Sequence, residues 1–116
     1  MFYNPESGYK LPHDPFKAIV APRPIGWISS IDKYKNVNLA PYSFFNAISD
    51  NPPMVMFSIT GTKKNENSLK DTLKNISDTK CFVVNIVSRE LINQMNVSSG
   101  NYSKETDEFI LSKLEK

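Results

Sequence analysis

Apolar residues fall along this chain in short clusters separated by proline, asparagine and charged positions, a spacing that predicts many short strands and two small helices. Lys17 to Ala21 is apolar and β-branched and reads as a first strand, halted by Pro22-Arg23-Pro24, where each proline removes a donor. Ile25 to Ile31 alternates well enough for a second strand. Residues 32–36 then make a polar turn, with Asn36 suited to a left-handed conformation. Val37-Asn38-Leu39 returns as the hairpin partner and is expected to stop at Pro41. Phe44 to Ile48 fits a strand or a helical turn equally, and Asn51-Pro52-Pro53 breaks the chain before a strand from Met54 to Thr60.

Gly61 to Asn67 is polar and reads as a loop. Ser68 to Asp78 predicts a helix with Leu69, Leu73 and Ile76 on one face. Cys81 to Val87 has the strongest strand propensity, and Arg89 to Met95 predicts a short helix that turns Leu91, Ile92 and Met95 inward. From Ser98 the chain is polar until Phe109, Ile110, Leu111 and Leu114, which predict a last amphipathic turn. These elements describe one domain over 1–116, with an irregular arm at 1–16, a core at 17–97 and a tail at 98–116. The fold class expected is mainly β with attached helices, a barrel or sandwich. Four or five strands do not easily close a barrel, so the chain either borrows surface from a partner or is part of a longer domain.

Composition narrows the classes of function. With 116 residues, 40% hydrophobic and 11% aromatic, the chain can build an interior and is not a disordered tail. Its apolar runs fall far short of the roughly 20 residues of a spanning helix. The formal charge of +2 is spread evenly, each half carrying +1 when divided after Ser58, so no basic stripe points to nucleic acid. One Cys excludes an internal disulfide or a Cys-based zinc site. No charged and apolar leader opens the chain, so a cytoplasmic location without membrane attachment is expected, and the Asn-x-Ser matches at Asn75, Asn96 and Asn101 read as chance.

Side-chain chemistry offers little. His13 is the only histidine, too few for a hydrolytic zinc site of three ligands. Gly-x-Ser-x-Gly, Gly-x-Gly-x-x-Gly and the phosphate-cradling Gly-x-x-x-x-Gly-Lys are all absent. Cys81 reads as a small core residue. What remains is a set of polar strand ends beside aromatics, and a helix start carrying Lys70, Asp71 and Thr72 that suits an anion. Taken one at a time these have ordinary explanations: Ser68 or Asp71 caps the helix, Tyr42 and Phe44 fill the core, and Lys63, Lys64 and Lys70 are solvated.

Their order is more specific. Ala-Pro-Arg-Pro-Ile-Gly-Trp-Ile-Ser at 21–29 is followed by Asn-Leu-Ala-Pro-Tyr-Ser-Phe-Phe-Asn at 38–46 and Asn-Pro-Pro-Met-Val-Met-Phe-Ser at 51–58. Lys-Asp-Thr-Leu-Lys-Asn-Ile at 70–76 and Phe-Val-Val-Asn-Ile-Val at 82–87 come next. This succession, from about His13 to about Phe109, resembles the flavin reductase-like family of FMN-binding split-barrel flavoproteins. The resemblance implies a Greek-key split β-barrel that forms a homodimer, binds FMN near the subunit interface and takes hydride from NADH or NADPH. It implies flavin contacts from Trp27, Ile28, Ser29 and Ser30, and from Asn38, Ala40, Pro41, Tyr42 and Ser43. Ser58 and Thr60 match the strand end beside the ribityl-phosphate chain, and Lys70, Asp71 and Thr72 match the phosphate end. Two departures stand out. The turn at Lys35-Asn36 lacks the glycine common in this motif, and the family continues with further strands past Asp107-Glu108-Phe109, which implies an incomplete barrel. A flavin-binding or structural module without turnover is the alternative from another class, and an OB-type nucleic-acid barrel ranks below both.

Overall fold

The computed structural model describes residues 3–61 and 69–116. Among these residues five strands form two open antiparallel sheets. Strands β1 (Gly26–Ile31), β2 (Val37–Tyr42) and β5 (Val83–Ile86) lie in the order β2-β1-β5, and β3 (Phe45–Asp50) pairs only with β4 (Pro53–Phe57). Among the described residues four α-helices accompany them, α1 (Pro15–Ile19), α2 (Asp71–Thr79), α3 (Ile92–Ser98) and α4 (Glu108–Leu111), with short 3-10 turns at Pro5–Ser7 and Arg89–Leu91. Neither sheet closes, in agreement with the expected incomplete barrel with attached helices. Among the described residues no helix is long and apolar enough to cross a membrane.

The packed end is the β1–β2 hairpin with the helices around it. In register, Gly26 faces Tyr42, Ile28 faces Ala40 and Ser30 faces Asn38. Helix α2 packs on β1 and β2, while α3 and α4 pack on each other and on β2. Among the described residues Trp27, Ile28, Leu39 and Tyr42 are the buried apolar side chains, and Ile28 is 0% exposed. Buried polar groups outnumber them and are tied together. The Asn75 amide donates to Ser30 Oγ at 3.2 Å, the Asn38 amide to Thr72 Oγ1 at 2.8 Å, and the Trp27 indole to Ser98 Oγ at 2.8 Å. Each pairing removes the cost of burying an unsatisfied group. Gly26 has a steric reason: a Cβ there would stand 2.7 Å from the Phe45 ring, so the approach of β3 to β1 requires its absence.

Several expected elements differ. Residues 17–21 are not a strand. Asp14 Oδ1 accepts the Phe16 N–H at 3.0 Å, Pro15 opens α1, and the Arg23 guanidinium then holds the Lys17 and Val20 carbonyls at 2.7 Å each. In the 32–36 turn Lys35, not Asn36, is left-handed with φ 72, because the Asp32 carboxylate holds both the backbone N–H and the amide of Asn36. Strand β2 runs through Pro41. The Leu39 N–H points off the outer edge to Glu108, and by the alternation of the ladder Pro41 lacks its N–H on that same unpaired side.

The ambiguous 44–48 segment is a strand, and β4 ends at Phe57, leaving Ser58 and Thr60 just beyond it. Helix α2 begins at Asp71, and the expected start at Ser68 lies outside the described residues, as do Lys63 and Lys64. Its buried positions are Thr72 and Asn75, while Leu69 is exposed. The polar face wins because it meets polar partners on β1 and β2. Cys81 is exposed rather than a core residue. On α3 it is Ser98 that is buried, while Ile92 is exposed. Residues past 98 do not trail away, since α4 packs on β2.

Candidate functional site

Two adjoining hollows lie along the outer side of β2. The larger, about 390 Å³, has Asn38, Ala40, Pro41 and Tyr42 on one wall, and Lys70, Asp71 and Thr72 from the start of α2 on another. Ser98 to Tyr102 and Glu108 complete it. The smaller, about 260 Å³, is lined by Lys17, Arg23, Ser43, Phe44, Ser58 and Thr60, and shares Pro41, Tyr42 and Lys70 with the first. Proline, tyrosine and lysine thus form a saddle between a neutral-to-acidic recess and a cationic cleft with three hydroxyl groups.

Local sequence explains how each wall is held. Arg23 is locked by the α1 carbonyls, donates through Nε to Ser43 Oγ at 3.2 Å, and lies 5.6 Å over the Phe44 ring. Helix α2 takes Lys70 as its N-cap, a residue that offers no side-chain acceptor to the first-turn N–H groups. An anion seated there would meet both these amides and an ammonium. On the far wall, Gly100 admits the Tyr102 ring where a Cβ would stand 2.4 Å from it, and the Tyr102 hydroxyl donates to the Val97 carbonyl at 2.7 Å.

Two buried acids tune the recess. Burial pushes the Glu108 carboxyl above its ordinary value; the Leu39 N–H bond opposes this, and nearby Asp71 and Asp107 add to it. Burial likewise raises the Tyr42 hydroxyl, a hydrogen bond with Thr72 works the other way, and Asp71 and Glu108 push it further up. Tyr42 therefore stays neutral at physiological pH, a polar donor at the saddle. Among the described residues no three His, Cys, Asp or Glu side chains gather as a metal site.

The structure brings together ten of the sequence-predicted positions along these hollows: Asn38, Ala40, Pro41, Tyr42, Ser43, Ser58, Thr60, Lys70, Asp71 and Thr72. Trp27, Ile28, Ser29 and Ser30 lie outside both. They sit behind β2, where Trp27 and Ser30 anchor α3 and α2, and the Asn85 amide reaches both the Trp27 carbonyl and Ser29 Oγ. Sequence reasoning missed Ser98 to Tyr102 and Glu108 as lining residues. The one available signal was Glu108 beside an apolar turn, a carboxylate placed where burial was expected.

The sequence profile described as flavin reductase like domain matches residues 20–115. An uncharacterised protein of Aquifex aeolicus is 47% identical over 91 residues, covering 78% of this chain and 45% of that protein. Nitrilotriacetate monooxygenase component B from Bacillus cereus superposes with a TM-score of 0.82 at 28% identity, over 97% of this chain and 55% of that one. The 2-nitrobenzoate 2-nitroreductase NbaA of Pseudomonas fluorescens gives 0.73 at 28% identity, over 96% and 52%. The chain thus spans about half the length of these relatives. With a matching profile over most of its residues and split-barrel neighbours, the chain belongs to the flavin reductase-like family.

Proposed function

We propose that this chain is an FMN-binding flavoprotein module in which the nucleotide lies across the Tyr42–Lys70 saddle. Its phosphate would be held in the cationic cleft by Lys17, Arg23 and Lys70 with the hydroxyls of Ser43, Ser58 and Thr60. Asn38, Ala40, Tyr42 and Thr72 would line the neighbouring recess for the polar parts of the flavin. The single observation that carries this reading is the separation of charge among the described residues: three cations and three hydroxyls, and no carboxylate, line the cleft, joined to a larger polar recess. A phosphate dianion attached to a bulky polar ring system fits such an arrangement. Trp27, Ile28, Ser29 and Ser30 enter as the layer that fixes β2, not as lining groups.

FMN bound there would supply the redox chemistry, as an acceptor for hydride from NADH or NADPH. The residues of this chain bind, orient and exclude water, which explains why no acid, base or nucleophile stands apart. A double substitution, Lys17→Ala with Lys70→Ala, tests the assignment. FMN affinity should fall at least about tenfold, equivalent to about 1.4 kcal/mol, while riboflavin, which lacks the phosphate, should bind unchanged. Equal FMN affinity in the variant rejects the cleft as the phosphate site. The open sheets favour a second reading, an FMN-binding module without turnover. NADH oxidation with added FMN by the folded protein separates the two.

A further inference from the structure

The recess beside β2 contains a buried carboxylate whose charge the packing does not require. Glu108 is 7% exposed, and acidic side chains are almost never buried so far without a cationic partner. Among the described residues no lysine or arginine pairs with it. Its Oε2 accepts the Leu39 N–H at 3.1 Å, a task that a neutral amide oxygen performs equally well. Nor does it cap α4, since Asp107 Oδ1 accepts the Phe109 and Ile110 N–H groups at 3.0 and 3.3 Å. A buried negative charge here is a cost to folding that no local contact offsets.

The surroundings add to that charge. Asp71, in the first turn of α2, lines the same recess. Burial first, and Asp71 after it, push both the Glu108 carboxyl and the Tyr42 hydroxyl above their ordinary values. Asp107, held by Lys116, acts on Glu108 in the same direction. Lys70 is the one cation among the described lining residues, and it stands at the saddle, shared with the cleft of Lys17 and Arg23. With a phosphate in that cleft, Lys70 and the first-turn N–H groups of α2 face the phosphate. The recess then keeps two carboxylates in a partly buried setting that screens charge far less than water does.

We infer that Glu108 selects the redox state of the flavin: its carboxylate, beside Asp71, makes the recess hold the oxidised ring more tightly than the reduced one. The inference rests on the proposed seat of FMN across the saddle. Hydride transfer breaks a nicotinamide C–H bond, delivers the hydrogen and both electrons to the ring, and leaves the nicotinamide as a cation. The oxidised ring is neutral, so it gains one negative charge in the step. The phosphate does not change charge, and the cleft contributes equally to both states. Discrimination therefore falls to the recess. By linkage, a flavin held more tightly when oxidised has a lower reduction potential than the same flavin in solution.

The test is an anaerobic spectroelectrochemical titration of FMN, free and bound to the full 116-residue chain. With the affinity for oxidised FMN, the two potentials give the affinity for reduced FMN. Reduced FMN should bind at least about tenfold more weakly than oxidised FMN, which places the bound potential about 30 mV below the free one. Glu108→Gln keeps an acceptor for the Leu39 N–H and removes the charge. It should tighten reduced FMN at least about fivefold and leave oxidised FMN unchanged. Lys17→Ala, in the cleft, should weaken both states by the same factor. Equal affinity for the two states in the parent chain, or tighter binding of the reduced one, overturns the inference without any variant. A Glu108→Gln chain whose two affinities move together, or do not move, also overturns it, since a merely structural carboxylate gives that result. Failure to bind FMN in either state rejects the flavin reading and this inference with it. FMN bound without discrimination rejects the role of Glu108 alone.

Discussion

The two ends of this molecule solve the problem of burial differently. Around β1 and β2, apolar and polar groups are buried together: Ile28 and Leu39 pack beside the Asn38–Thr72 and Ser30–Asn75 pairs. Around β4 and β5, apolar groups of equal hydrophobicity stand in water. Composition does not make the difference; Met54 to Phe57 is more apolar than the centre of β1, which carries Ser29 and Ser30. What separates them is whether the chain supplies a covering layer. The helices cover β1 and β2 and leave the other end open, so the side that carries the hollows is the side already built.

Substitution should expose this asymmetry most strongly. Ile28→Ala or Leu39→Ala should cost about 2–5 kcal/mol, the usual price of a truncated core side chain. Ile86→Ala should stay within about 0.5 kcal/mol. Urea titrations of the three variants check the contrast, and equal losses at positions 28 and 86 would break it. A smaller effect is expected from the polar half of the packed end. Thr72→Val keeps the shape but leaves the buried Asn38 amide without its acceptor, a loss of about 1–3 kcal/mol. Replacing Asn38 as well, with Leu, should recover part of it.

The smallest effect is electrostatic. Burial raises the folded-state pKa of Glu108 above its unfolded value. Between those two values the folded chain holds the proton more tightly, so stability falls as pH rises across that window, and the loss is complete above the folded pKa. Glu108→Gln keeps an acceptor for the Leu39 N–H and removes the charge. Thermal melts should show the variant at least as stable as the parent at pH 8, the difference closing below about pH 4, near the unfolded value for glutamate. A variant less stable than the parent at pH 8 would mean that the charged carboxylate is the favoured form.

Much of the framework is legible in the residues because it is local. The β1–β2 hairpin, the break at Asn51-Pro52-Pro53 and the start of α2 near Lys70 follow from turn chemistry and apolar spacing. The order of the β2, β4 and α2 segments also brought about half of the hollow-lining positions into view. The failures have a common cause, which is that the deciding partner is distant or is a single hydrogen bond. Residues 17–21 carry strand-like side chains, yet Asp14 and Arg23 fix them as a helical turn. The expected apolar face of Leu69, Leu73 and Ile76 is only half buried, with Leu69 exposed before the helix begins, while Ser30 and Asn38 draw Thr72 and Asn75 fully inward. Asn101 and Tyr102 reach the recess from the end of α3, where Tyr102 bonds the Val97 carbonyl, and Glu108 reaches it because α4 folds back onto β2, contacts that no spacing encodes.

The central claim is that the saddle of Pro41, Tyr42 and Lys70 holds FMN. The most direct measurement is the visible absorbance spectrum of the purified chain after loading with FMN and removal of the excess by gel filtration, with riboflavin run in parallel. If the saddle holds FMN, a flavin band co-elutes with the protein and is shifted from free FMN, with riboflavin retained much less. A colourless protein peak, or equal retention of the two flavins, would contradict it.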